Sequence, residues 1–90
     1  MSKFPLGQVV ATPGAIEALG NARQSAGIFL SKHAQGDWGE VCAEDKQLND
    51  EALVDGGRVL SAYRTSKNER IWIITEADRS STCVLLPSEY

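Results

Sequence analysis

The sequence predicts a single α+β domain in which about three N-terminal helices pack on a C-terminal three-stranded antiparallel meander, Arg58 to Leu86. Gln8-Val9-Val10-Ala11 is a candidate for a further short strand. Three observations carry this reading. Ninety residues leave room for one hydrophobic core and no second domain. Capping residues and glycines cut residues 12–57 into helix-length pieces. From Arg58 onward the apolar spacing changes from about 3.6 residues to about 2.

Thr12-Pro13 opens the first helix, with a capping hydroxyl directly before a proline at the first helical position. The helix is predicted over Pro13 to Leu19, closed by Gly20-Asn21, residues that tolerate a left-handed backbone. Ser25 caps a second helix, Ala26 to about Ala34, which places His33 beside Phe29, Leu30 and Ala34, with Gly36 as its stop. Gly36-Asp37-Trp38-Gly39 then reads as a loop holding one anchored ring and one carboxylate between two glycines. A third helix, about Ala43 to Val54, ends at Gly56-Gly57 and is expected to turn Val41, Leu48 and Ala52 inward. Its weak point is Cys42, a poor N-cap.

In the meander, Val59, Ser61 and Tyr63 alternate with Leu60, Ala62 and Arg64, the pattern of a half-buried strand. Thr65 to Glu69 makes a polar turn. Ile71-Trp72-Ile73-Ile74-Thr75 is β-branched and aromatic enough to be the central strand. Ala77 to Ser81 makes the second turn, Thr82 to Leu86 the third strand, and Pro87 ends its pairing.

Composition narrows the function. The chain is 42% hydrophobic and 23% charged, which predicts a chain that folds by itself. Neither a signal-peptide run nor a stretch of roughly 18 apolar residues is present, so a cytoplasmic protein without membrane association is expected. Cys42 and Cys83 have no Cys-x-x-Cys spacing and are read as reduced thiols. A zinc site from His33, Cys42 and Cys83 would lack a fourth ligand, and no metal or cofactor is expected.

The net charge of −3 is unevenly spread: residues 1–57 carry four basic and eight acidic side chains, residues 58–90 five and four. Asp37, Glu40, Glu44, Asp45, Asp50, Glu51 and Asp55 face only Lys46 between positions 37 and 55. Direct binding of nucleic acid through that face is electrostatically disfavoured.

Four blocks of sequence, His33-x-x-Gly36-Asp37-Trp38-Gly39, Arg58-x-x-Ser61-x-Tyr63, Trp72 to Ser80, and Leu85-Leu86-Pro87-x-Glu89-Tyr90, resemble a family of small uncharacterised "plasmid-related" proteins of bacterial mobile elements. The resemblance runs over nearly the whole chain from Phe4-Pro5-Leu6-Gly7, and the tryptophan-to-serine block is its most specific part. It implies a mobile-element habitat and assigns no catalytic residue. One departure is Cys42, where the family pattern has an acid suited to capping.

The candidate site residues follow from chemistry. His33 has the side chain best suited to act as general acid or base near neutral pH, against packing beside Phe29 as the plainer reading. Asp37 and Trp38 suggest a recognition corner, against a ring that only pins its loop. Glu76, Asp78 and Arg79 crowd one rigidly supported turn, against an internal ion pair or a turn-capping aspartate. Ser61 and Tyr63 share a strand face. With His33, Arg79 or Arg64 they suggest a ribonuclease-like set, and helices before a meander are also the layout of barnase and RelE-like ribonucleases. The acidic balance argues against RNA as a ligand. No phosphate-binding glycine loop, paired-histidine metal motif or nucleophile elbow is present. The favoured expectation is a non-enzymatic protein-binding accessory protein of a mobile element that acts on a host defence or DNA-handling protein. Its face would be the acidic third helix with the Gly36 to Gly39 corner, in one version mimicking nucleic acid. The alternatives are a small ribonuclease-like hydrolase and a homo-oligomer joined at strand edges.

Overall fold

The computed structural model describes residues 2–90. Strands β1 (Gln8–Ala11), β2 (Val59–Arg64), β3 (Arg70–Thr75) and β4 (Ser81–Leu85) form one mixed sheet in the order β1-β4-β3-β2. Helices α1 (Pro13–Ala22), α2 (Ala26–Ala34) and α3 (Ala43–Asp55) lie between β1 and β2 in the chain, and a 3-10 turn, Pro87–Glu89, follows β4.

The antiparallel meander is present, but it is not the whole sheet. β1 joins it parallel to β4, with Val9 beside Thr82 and Val10 beside Cys83. The three-stranded expectation is corrected to a four-stranded mixed sheet. No local pattern could announce this, because a parallel neighbour needs a long connection, here the three helices followed by β2 and β3.

β3 is central, paired to β2 on one side and β4 on the other, and Ile71, Ile73 and Thr75 are fully buried. The inward faces of β2, β3 and β4 meet α1 and α2 in a cluster of Ala15, Leu19, Phe29, Tyr63, Ile73 and Val84. A second cluster, Phe4, Trp38, Ala52 and Val59, fills the space towards α3.

Two helix boundaries follow the predicted caps. Thr12 accepts from the Ala15 amide and Ser25 from the Gly27 amide. The end of α1 does not. The helix continues through Gly20 and Asn21 to Ala22 and stops at Arg23, whose φ of 55° puts it in the left-handed region. Burial of Ala22 against the core outweighs the cost of a helical glycine, about 1 kcal/mol.

Helix α3 departs furthest from its predicted orientation. Leu48, expected inward, is 61% exposed, and its neighbour Asn49 is buried instead. The reason is hydrogen bonding. Leu60 lies on the outer edge of β2, and the Asn49 amide both donates to its carbonyl (2.7 Å) and accepts from its N–H (3.1 Å). Two part-buried backbone groups are thereby satisfied, which apolar Leu48 could not do. Cys42 stands at the N-cap with no side-chain capping bond.

Candidate functional site

His33 is the only histidine and the residue whose surroundings decide the chemistry. Helix α2 points it between the two apolar clusters, with the Phe4 ring edge-on at 5.3 Å and the Trp38 ring edge-on at 5.7 Å. Its Nδ1 lies 2.5 Å from the Ser61 hydroxyl and its Nε2 lies 2.8 Å from the Thr75 hydroxyl. Thr75 continues to Thr82 (2.7 Å), and Thr82 donates to the Leu6 carbonyl (2.7 Å). His33, Ser61, Thr75 and Thr82 are all fully buried.

The far end of this chain fixes the protons. A carbonyl only accepts, so Thr82 spends its proton on Leu6 and must accept from Thr75. Thr75 has then spent its own proton, so Nε2–H of His33 donates to it. Nδ1 is left as an acceptor, and Ser61 donates to it. Every hydroxyl and both ring nitrogens are satisfied by one neutral tautomer. Burial, with the Arg79 guanidinium as the second cause, pushes the His33 pKa from 6.5 down to about 4. The ring is neutral at pH 7, and no substrate can reach it without opening the core.

Arg79 is equally committed. Its backbone is left-handed, with φ 61°. Its guanidinium donates to the carbonyls of Gly57 (2.6 Å), Glu76 (3.1 Å) and Ala52 (3.0 Å), and it lies over the Phe4 ring at 5.3 Å. Helix α3 has no basic residue in its last turn, and Arg79 brings the missing cation to that end from the β3–β4 turn. A guanidinium holding three carbonyls is not free to hold a phosphate.

His33, Trp38 and Arg79 therefore do converge, around Phe4, but as an interior stack rather than a cleft. Trp38 is buried, stacks on Phe4 at 6.1 Å and donates its indole N–H to Asp50 (3.0 Å). The ring pins its loop to α3. Gly39 has φ 73°, and a Cβ there would overlap the Ala62 carbonyl oxygen, so only glycine lets this loop lie against β2. Phe4, the hub of the stack, was missed in the sequence because it sits in a short segment before Pro5 that has no periodicity.

The remaining candidates are scattered. Asp37 is exposed, with its carboxylate on the Gly39 amide and its carbonyl accepting from the Tyr63 hydroxyl. Burial raises the Tyr63 pKa from 10.0 to about 12. Asp37 and Tyr63 line a shallow cleft of about 220 Å³ with Phe29, Lys32 and Arg64. There Arg64 is paired to Glu40 at 2.8 Å. Glu76 is paired to Arg58 at 3.7 Å across exposed surface. Asp78 caps its turn by accepting from the Ser80 amide (3.0 Å), and the Ser80 hydroxyl, with that amide second, lowers its pKa. Glu76 and Asp78 do not join His33.

Among the described residues no three of His, Cys, Asp and Glu gather in a metal-binding arrangement, and no helix is long and apolar enough to cross a membrane.

The outer face of α3 is built differently. Glu44, Leu48, Glu51 and Asp55 recur at helical spacing on one stripe, and Val54 beside them is 87% exposed. Shallow depressions along this stripe are lined by Glu44, Gln47, Leu48 and Glu51, and further on by Asp55 and Arg58. The ion pairs among the described residues, Arg58 with Glu76 and Arg64 with Glu40, use none of the α3 acids. Comparison with models of protein families, with curated proteins and with solved structures gives no match.

Proposed function

We propose that the chain is a non-enzymatic protein-binding protein whose contact face is the outer stripe of α3. The observation that carries this is the turning-out of Leu48 and Val54 among Glu44, Glu51 and Asp55. Apart from Glu44, which stands in the first turn and complements the positive end of the helix, the fold gains little from them. Leu48 and Val54 leave apolar area in water, and Asp55 in the last turn opposes the helix dipole. An apolar centre with a charged rim is the composition of a docking patch, and the charge selects a partner with a basic rim.

The Gly36 to Gly39 corner contributes less than its sequence suggested, because Trp38 is spent on the interior. A mobile-element habitat remains part of this proposal and rests on the sequence resemblance, while a host defence or DNA-handling partner rests on the acidic character of this face, read as a mimic of nucleic acid. A ribonuclease-like reading has no accessible histidine and no uncommitted Arg79 to draw on.

The test is affinity capture with the native chain and with a Glu44→Lys, Glu51→Lys double variant, beside a Leu48→Ser variant. Asp50 is left intact because it holds the Trp38 indole. The expected result is a partner held by the native chain and lost by both variants while both still unfold cooperatively, the double variant with a slightly lower melting temperature from the loss of first-turn Glu44. Equal capture by all three would overturn the proposal.

A further inference from the structure

The two edges of the sheet are finished differently. In the antiparallel β2–β3 ladder, Leu60, Ala62 and Arg64 turn their backbone groups to the outside; those of Leu60 and Ala62 are taken, and the strand ends in the charged side chain of Arg64. Asn49 serves Leu60, while Ala62 donates to the Trp38 carbonyl (3.1 Å) and accepts from the Glu40 amide (2.7 Å).

At the opposite edge, Gln8 donates to the Ser80 carbonyl and Thr12 to the Val84 carbonyl, so the alternate residues Gln8, Val10 and Thr12 face β4. Val9 and Ala11 therefore turn their N–H and C=O groups away from the sheet, and these have no partner among the described residues. Gln8-Val9-Val10-Ala11 carries no charge, no proline and no bulge, the devices by which exposed edges are usually protected.

We propose that this edge pairs with the same edge of a second copy of the chain, antiparallel, about a two-fold axis at Val10. The register is dictated by which residues face outward. With Val10 opposite Val10, Val9 of one chain exchanges both hydrogen bonds with Ala11 of the other, and Ala11 of the first with Val9 of the second. Every outward group of β1 is then satisfied, and one strand suffices for both sides, as a two-fold interface requires.

The side chains fit the same register. On the sheet face away from the helices, Leu60, Ile74, Cys83 and Val10 stand side by side across the strands. Pairing at Val10 joins this row to its copy as one apolar stripe across an eight-stranded sheet. The two Val10 side chains, each 43% exposed in the single chain, meet at the axis as a close non-hydrogen-bonded pair. A strand from an unrelated protein would satisfy the backbone but would have no reason to continue the row. The second copy is the occupant that does both.

Sedimentation velocity tests this on the native chain from about 10 μM to about 1 mM. Two variants accompany it. Val9→Pro removes an outward N–H that the β4 ladder does not use, and Val10→Lys sets two like charges against each other at the axis. The expected result is a native dimer whose melting temperature rises with concentration, and two monomeric variants that still unfold cooperatively at a melting temperature independent of concentration. Should one variant fail to fold, the other decides. A native chain that stays monomeric throughout this range overturns the proposal and leaves the edge to a strand of another protein. A dimer that survives both substitutions also overturns it, because it must use another surface.

Discussion

The interior around His33 and the outer stripe of α3 are the two places where chemistry-bearing side chains gather, and they are built on opposite terms. Around His33 each donor has its acceptor, from Ser61 through Thr82 to the Leu6 carbonyl. Along α3, Glu44, Glu51 and Asp55 have no basic partner in the ion pairs of the described residues, and Leu48 and Val54 face water. The contrast teaches that residue type is a poor guide to function until its bonds are counted. A histidine with both nitrogens and its surroundings satisfied holds the fold together, while the unpaired acids and the exposed Leu48 and Val54 of α3 are the groups the fold leaves without a protein partner among the described residues.

The comparison breaks most severely at its closed end. His33→Ala would leave the Ser61 hydroxyl without its acceptor and Thr75 bonded to Thr82 alone, beside a cavity, and it is expected to cost about 3–5 kcal/mol in urea unfolding. A loss below about 1 kcal/mol would mean that the chain of hydrogen bonds contributes little.

Acid should strain the same place. The folded-state pKa of about 4 lies below the unfolded value of 6.5, so the unfolded chain takes up the proton first. The stability contributed by neutral His33 is therefore complete above pH 6.5 and is lost as pH falls towards 4. The loss amounts to about 3 kcal/mol, of which about 2 kcal/mol is expended by pH 5. Unfolding free energies measured from pH 7 to pH 5 check this, with His33→Gln as the variant that should flatten the slope.

At Arg79 a smaller effect is expected. Arg79→Lys keeps the charge but cannot span the Gly57, Glu76 and Ala52 carbonyls, and a loss of about 2 kcal/mol should appear as a lower denaturant midpoint. Smallest of all is the open end: Glu44→Lys with Glu51→Lys should cost no more than about 1 kcal/mol, chiefly through the first-turn acid Glu44. A large loss there would show that the acids serve the fold, and the contrast would disappear.

The sequence carried the local part of this arrangement. Thr12-Pro13, Ser25 and Gly56 mark helix ends, and the change of period at Arg58 marks the sheet. What it could not carry was long-range. His33 is bonded to residues 28 and 42 positions away, and Thr82 to Leu6 across 76. A signal was present all the same: Ser61, Thr75 and Thr82 are hydroxyls at inward strand positions among apolar residues, which implies a buried polar partner. The parallel pairing of β1 and the inward turn of Asn49 had no comparable signal. Both answer backbone groups on distant strands, and a helix whose apolar residues are spread around its circumference does not announce which side is inner.

The division between closed interior and open surface hinges on the state of the His33 ring. Long-range nitrogen–proton NMR correlation of the imidazole reads it directly. The account predicts a single neutral tautomer protonated at Nε2, unchanged from pH 7 to pH 5 in the folded protein. A ring protonated at Nδ1, or one that titrates near 6.5 as an accessible histidine does, would contradict it.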